Sequence, residues 1–327
     1  MAEYFKNVLL IGATGDLGQH ILSALLNTTT MHPSQPLAIN LLTRLTSTAE
    51  FPADPSITRI HKGDIKDREF LVTAFSGQDI VISAISPYAL LDQKLMLSVA
   101  AEVGVKRFVV GEFGMDTRDE GLTDSVAVFQ QNREVLEYAV GVCGGGGGDS
   151  KAVGMEYTGV ICGAFLEMTL LDGEMGFGFG EREVEIYDSG RKKIEVSRME
   201  DVARATVEIC FQPGRYGDQL VYISSFTVSQ RDILGALNKV DKKGPWKVVE
   251  RTTEWLKGRG KKRVEEGDMM GLVDEIWAVA FSDGIGEAFS RKRKLVNEEV
   301  GIRRGGDEEF VEVIRGIVED WEAGRRK

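Results

Sequence analysis

Residues 7–18, NVLLIGATGDLG, restrict the possible folds of this chain more than any other stretch. The apolar run Val8 to Ile11 leads straight into Gly12-Ala-Thr-Gly15-Asp-Leu-Gly18. A segment with Leu17, Ile21, Ala24 and Leu25 on one helical face follows. Strand, glycine-rich turn and helix N-terminus in that order offer backbone N–H groups and the positive helix end to a pyrophosphate. The glycines permit the tight turn and the close approach of the ligand to the backbone. A glycine motif alone is a weak signal; placed between a strand and a helix it predicts a dinucleotide site.

The rest of the first 115 residues repeats the alternation. Residues 37–43, 57–61, 79–85 and 107–110 read as strands, and 67–75 and 91–103 as helices. This pattern predicts an α/β fold with a doubly wound parallel sheet covered on both faces. A helix over 126–140 runs into Gly141 to Asp149, which reads as a flexible low-complexity loop, and 155–162 reads as a sixth strand. Beyond it the pattern changes. Residues 165–180 are rich in Met, Phe and Gly, a composition that fits an apolar substrate pocket or plain core packing. Residues 183–187 and 192–196 alternate around Asp188-Ser-Gly190 and predict a hairpin. Ser197 with Glu200, and Ser229 with Asp232, predict capping boxes. Phe310, Val313, Ile314, Ile317 and Trp321 share one helical face that should dock on the core. The expected organisation is a cofactor domain over 1–162 and a smaller α+β substrate lobe over 163–327, with segments near 196–225 returning to the first domain.

Composition narrows the function. With 40 basic and 51 acidic residues the net charge is −11. That argues against non-specific binding to nucleic acid or anionic membranes. Cys143, Cys162 and Cys210 show no CxxC spacing, and His20, His32 and His61 no ligand spacing, so neither a disulfide framework nor a metal site is expected. There is no signal-peptide pattern and no apolar run of membrane length, which predicts a cytoplasmic protein, monomeric or homodimeric.

The second strand ends at Thr43-Arg44. A carboxylate there would take the ribose 2′-hydroxyl of NAD; an arginine accommodates the 2′-phosphate of NADP instead. Arg44 therefore predicts NADP(H), with Thr46 and Ser47 as further donors. Asp64 falls where a loop would pass the adenine, and a turn aspartate explains it equally well. The GxxGxxG spacing of the opening motif points to the short-chain reductase side of the dinucleotide binders.

With the opening motif, Thr43-Arg44, GQDIVISAIS (77–86), VKRFVVGEFGMD (105–116), YTGVICGAFLE (157–167) and VSRMEDVARATV (196–207), the chain resembles the NmrA-like family, which includes isoflavone and phenylcoumaran benzylic ether reductases. The resemblance covers most of the first 225 residues and is loose thereafter. It implies a Rossmann-type domain with a smaller C-terminal lobe and NADPH in the cleft. By position it implies that Gly12, Thr14, Gly15, Asp16, Leu17 and Gly18 hold the pyrophosphate and Arg44 the 2′-phosphate. Ser83, Ala84 and Ile85 would line the ribose and nicotinamide side, with Glu112 and Phe113 at the end of the fifth strand. Gly163, Phe165 and Met168 would face the substrate.

One departure bears on activity. The reductases of this family carry a lysine in a phenylalanine-x-x-lysine pattern, and here the pattern reads Phe129-Gln-Gln-Asn132. Asn132 shares a helical face with Phe129, Leu136 and Ala139 and should point inward. An asparagine amide can hold a substrate oxygen but cannot transfer a proton near neutral pH. The resulting expectation is an NADPH-dependent reductase of a small lipophilic, aromatic substrate, with Asn132 polarising the acceptor and Tyr157 or water delivering the proton. The alternatives are a non-catalytic NADP(H) sensor and a cofactor-binding enzyme without net redox chemistry.

Overall fold

The computed structural model describes residues 5–31, 37–144, 154–212, 214–282 and 288–324. The first part of the chain runs β1 (Asn7–Ile11), α1 (Asp16–Met31), β2 (Ala38–Thr43), β3 (Ile57–Lys62), α2 (Arg68–Phe75), β4 (Ile80–Ser83), α3 (Gln93–Glu102), β5 (Arg107–Gly114), α4 (Glu120–Thr123), α5 (Ala127–Cys143) and β6 (Glu156–Ile161). It continues through β7 (Ala164–Phe165), α6 (Leu166–Leu171), β8 (Phe177–Gly178), β9 (Glu183–Tyr187), β10 (Ile194–Ser197), α7 (Met199–Cys210), β11 (Gln219–Tyr222), β12 (Phe226–Val228), α8 (Gln230–Val240) and β13 (Lys247–Arg251). Helices α9 (Thr253–Glu265), α10 (Met270–Phe281) and α11 (Asp307–Glu322) close it.

Seven strands form one sheet in the order β11-β6-β5-β4-β1-β2-β3, with every neighbouring pair parallel. Successive residues of these strands point to opposite faces, and in the inner strands both faces are buried, so those strands read as near-continuous apolar runs, whereas the edge strand β3 is largely exposed. Leu10, Ile39, Leu41 and Ile82 pack with Ile21 and Leu25 of α1 and Val202 of α7. Leu9, Leu42, Val81 and Val110 pack on the other side with Phe75 of α2, Met96 of α3 and Leu136 of α5. The order runs outward from β1 to β3 on one side and from β4 to β11 on the other. A crevice therefore opens at the carboxyl ends of β1 and β4, where open α/β sheets take their ligands.

The remaining strands form two three-stranded sheets, β12-β10-β7 and β13-β9-β8, joined to α8, α10 and α11 by a core around Phe177, Tyr187, Trp246, Trp277, Phe281 and Phe310. Phe310, Ile314 and Ile317 of α11 are buried in it, with Val313 and Trp321 packed against its edge, as the helical stripe predicts. The capping box at Ser229 and Asp232 is present.

Four local expectations need correction. The predicted hairpin does not form: β9 pairs with β8 and β13, whereas β10 pairs with β7 and β12. The turn itself exists, with Asp188 and Gly190 at positive φ. The Asp188 carboxylate accepts from the Thr253 N–H (3.0 Å) and hydroxyl (2.7 Å), which fastens the turn to the start of α9 and sends the two strands into different sheets. Ser197 does not cap α7. Its buried hydroxyl donates to the Cys162 carbonyl (2.6 Å), and the cap position is Arg198. The segment 91–103 begins as a 3-10 turn over Pro87–Asp92 and becomes α-helical only at Gln93. Helix α5 runs to Cys143, into the stretch read as loop; the rest of that glycine run, from 145, lies outside the described residues.

Candidate functional site

The glycine turn is built as a cradle. Gly12 follows β1 at φ 85°, and a Cβ there would lie 2.1 Å from the Ala84 carbonyl oxygen. A Cβ on Gly18 would lie 2.0 Å from the Gly12 carbonyl oxygen. These two glycines let β1, the start of α1 and the end of β4 approach one another. Gly15 is different: a Cβ there would meet only Gly12 O at 3.5 Å, an ordinary contact. Thr14, Gly15 and Asp16 are exposed at the helix start, whereas Leu17 and Gly18 are buried beneath them. The first N–H groups of α1 have no partners within the helix, so the turn presents donors to solvent at the crevice.

Two buried hydroxyls at the same edge of the sheet have no hydrogen-bond partner: Thr43 at the end of β2 and Ser83 at the end of β4. Such groups are uncommon in a finished interior and fit a polar ligand laid across the strand ends. Arg44 and Thr46 are exposed in the turn closed by the Ser47 N–H on the Arg44 carbonyl (2.9 Å). Asp64 is exposed, and its carboxylate accepts from the Lys66 N–H (2.9 Å), the behaviour of a turn aspartate. Ala84, Phe113 and Phe165 are half-buried at the margin of one apolar cluster, and Ile85 at the margin of another.

At the end of β5, Glu112 is 2% exposed. Its carboxyl accepts from the Thr117 hydroxyl (2.8 Å) and from the Asn132 amide (3.4 Å). Burial pushes its pKa up to about 7, against the opposing pull of those two bonds. Asn132 points inward, as its helical face predicts, but its amide also donates to the Gly111 carbonyl (3.3 Å). It engages the end of β5 and leaves no open amide directed at a substrate oxygen.

Tyr157 is not brought to this edge. It is the second residue of β6, paired with Phe108 near the opposite end of the sheet, and its N–H donates to Asp218 (3.2 Å). Burial raises its phenol pKa, and its place in the core rules against the proton-donor role expected of it. The Met/Phe stretch is also core: Met175, Phe177 and Phe179 are buried, and Met168 is half-buried on α6.

A cavity of about 290 Å³ lies beyond the ends of β5 and β6. Of the expected substrate residues, only Gly163 lines it. Its apolar wall is Met115, Leu122, Ile194 and Phe289, and charged groups including Arg118, Glu195, Lys292 and Arg293 face it from other sides. Asp116 ties the walls together, accepting from the Tyr222 hydroxyl (3.1 Å) and Arg293 Nε (3.0 Å). Met115 and Asp116 end the motif VKRFVVGEFGMD, but Leu122, Ile194, Phe289, Lys292 and Arg293 come from distant segments outside the quoted motifs, and no local signal marks them. Among the described residues, no group of three or more His, Cys, Asp or Glu side chains is placed to hold a metal ion, and no helix is long and apolar enough to cross a membrane.

Comparison with known proteins agrees with this architecture. The chain is 27% identical over 311 residues to the oxidoreductase aprR of Aspergillus flavus, covering 94% of this chain and 99% of that protein. An isoflavone reductase crystal structure superposes with a TM-score of 0.70 at 22% identity, covering 94% of this chain and 98% of the other. The protein AtPrR2, solved with NADP+ and (+)-pinoresinol, superposes with a TM-score of 0.66 at 19% identity over 96% of this chain and all of the other. The model of the NmrA-like family matches residues 5–250, three quarters of the sequence, and the chain belongs to that family.

Proposed function

We propose that this protein is an NADPH-dependent reductase that delivers hydride to a small aromatic substrate. The observation that carries the reading is the crevice at β1 and β4. There the Gly12–Gly18 cradle, the partnerless hydroxyls of Thr43 and Ser83 and the exposed Arg44 line one edge of the sheet. The donor set fits a dinucleotide with a 2′-phosphate: N–H groups for the pyrophosphate, hydroxyls for a ribose, a guanidinium for the phosphate. Relatives named as oxidoreductases and a neighbour solved with NADP+ support it. In this reading residues 1–162 hold the cofactor and 163–327 the substrate, with 196–225 returning to the first part.

When bound, NADPH supplies the hydride. The chain must bind, orient and provide a proton. Gly12, Thr14, Gly15, Asp16, Leu17 and Gly18 take the pyrophosphate; Ala84, Ile85 and Phe113 border the reacting end. The cavity beside Gly163 suits an aromatic body against Phe289 and Met115, with polar substituents toward Arg118 and Lys292. Glu112 is the proton source in this scheme: it lies near the end of β5, three residues before Met115 of the cavity wall, Thr117 and Asn132 hold its carboxyl in place, and burial raises its pKa toward the range that suits a general acid. Its carboxyl would hold the proton that the acceptor heteroatom takes up, and solvent would restore it. Asn132 is then a positioning residue for Glu112, where the family's reductases carry a lysine.

The test is NADPH oxidation, followed by absorbance, against a panel of aromatic enones, imines and benzylic ethers. Asn132→Ala is expected to lower turnover by about tenfold to a hundredfold, the worth of one hydrogen bond to an ionisable group, and to move the alkaline limb of the pH profile to higher pH with NADPH affinity unchanged. Tight NADPH binding with no turnover on any acceptor would overturn the reductase reading in favour of a sensor.

A further inference from the structure

We propose that Lys62 is a second cationic anchor for the 2′-phosphate, acting beside Arg44, so that cofactor choice is set by a pair drawn from two strands. The inference rests on the reading that the crevice binds NADPH, and it concerns a residue that the sequence motifs do not single out. Lys62 is the last residue of β3 and pairs in register with Thr43, the residue immediately before Arg44. In a parallel pair, residues in register share a face, so Lys62 stands beside the partnerless Thr43 hydroxyl. The ladder continues one step further, with the Gly63 N–H donating to the Thr43 carbonyl (3.1 Å).

The lysine reaches the phosphate-side turn directly. Its Nζ donates to the Ser47 carbonyl at 3.0 Å, and Ser47 closes the turn that begins at Arg44. Arg44 and Lys62 are both exposed, and among the described residues neither has an ion-pair partner. Asp64, the carboxylate nearest in sequence, accepts from the Lys66 N–H (2.9 Å). Elsewhere on the chain, ion pairs are common: Arg198 and Arg204 share Asp201, and Arg259 and Arg263 share Asp274. Arg44 on this turn and Lys62 reaching it from β3, both without an ion-pair partner among the described residues, form a local positive site on a chain of net charge −11. A phosphate dianion bound by the Arg44 fork leaves oxygens for a point charge on a flexible stem, which is what lysine offers.

A competing role for Lys62 is a tether that only shapes the turn through Ser47. The two roles differ in what they do to NADH, which lacks the phosphate. The experiment is calorimetric titration of the full chain with NADPH, NADH, adenosine 2′,5′-bisphosphate and 5′-AMP, using wild type, Arg44→Ala, Lys62→Met and Lys62→Arg. Lys62→Met should weaken NADPH and the bisphosphate by roughly three- to tenfold, in line with a partly exposed charge pair, and leave NADH and AMP unchanged. Lys62→Arg should restore most of the loss, and added salt should erode the wild-type preference more than that of Lys62→Met. Equal weakening of NADPH and NADH would reduce Lys62 to a tether and overturn the proposal, as would no change in either. Those results, with Arg44→Ala still selective against NADPH, would leave the cofactor reading intact. A wild type that binds NADPH and NADH equally would overturn both.

Discussion

The cradle separates into a structural glycine and a ligand-facing one, and alanine at each should fail differently. At Gly18 an added methyl meets backbone on three sides: Gly12 O at 2.0 Å, Gly12 C at 2.8 Å and Ala13 Cα at 3.0 Å. None of these atoms is the end of a flexible side chain, so α1 must shift away from the turn or the turn must open. Overpacking of this kind costs about 1–3 kcal/mol, and in a chain of this size that lowers Tm by roughly 2–6 °C. At Gly15 the methyl meets only Gly12 O, at 3.5 Å, and the backbone is not in the left-handed region. Gly15 immediately precedes α1, and exchanging glycine for alanine at a helix cap changes stability by only about 0.5 kcal/mol. Yet Gly15 is exposed on the face that would receive the pyrophosphate. Its methyl should weaken NADPH by about tenfold to a hundredfold through lost close approach, or 1.4 to 2.8 kcal/mol. Thermal unfolding and calorimetric titration of the two variants give the comparison. Gly15→Ala that binds NADPH like wild type would refute the assignment of the turn to the pyrophosphate. Gly18→Ala with an unchanged Tm would show that the approach of α1 is looser than the geometry indicates.

Glu112 makes stability depend on pH. Its folded pKa, about 7, lies above the ordinary 4.5, so its contribution is complete below pH 4.5 and is lost as pH rises toward and through 7, with an upper bound of about 3 kcal/mol; denaturant titrations across that window should flatten in Glu112→Gln. Arg107 is fully buried at the start of β5, where it pairs with Glu156 (2.6 Å) and donates to the carbonyls of Ile209 (2.8 Å) and Cys210 (3.2 Å) at the end of α7. Arg107→Ala removes that helix cap and leaves buried carbonyls unpaired, so it should cost roughly 3–5 kcal/mol in denaturant unfolding; a loss under about 1 kcal/mol would mean that water replaces the guanidinium.

The parts of this protein written in adjacent residues were legible without a structure. The strands of the parallel sheet announce themselves because both faces are buried and their residues run apolar without interruption, as at Val8–Ile11 and Ile80–Ile82. The glycine turn, the box at Ser229 and Asp232, and the stripe on α11 are all satisfied within one turn of backbone or one helix face. Their physics is local, so the order of residues along the chain already contains it.

The errors fall where a residue's partner lies far away in sequence. Asp188-Ser-Gly190 reads as a hairpin turn, but Thr253 captures the aspartate and diverts the strands. Ser197 reads as a cap, but the Cys162 carbonyl takes its hydroxyl. Asn132 points inward as its helical face predicts, but what it meets there, the carboxyl of Glu112, depends on the packing of α5 against β5. Tyr157 carries suitable chemistry at the wrong end of its strand. The sequence by itself determined the class of fold, the crevice and its glycine cradle, because backbone geometry and hydrophobic period are local properties. Only the tertiary structure decided which buried groups meet, which carboxyl is desolvated enough to hold a proton near neutrality, and which distant segments wall the cavity. Those depend on side chains separated by up to 178 residues, Met115 to Arg293, being brought within a few ångströms of one another.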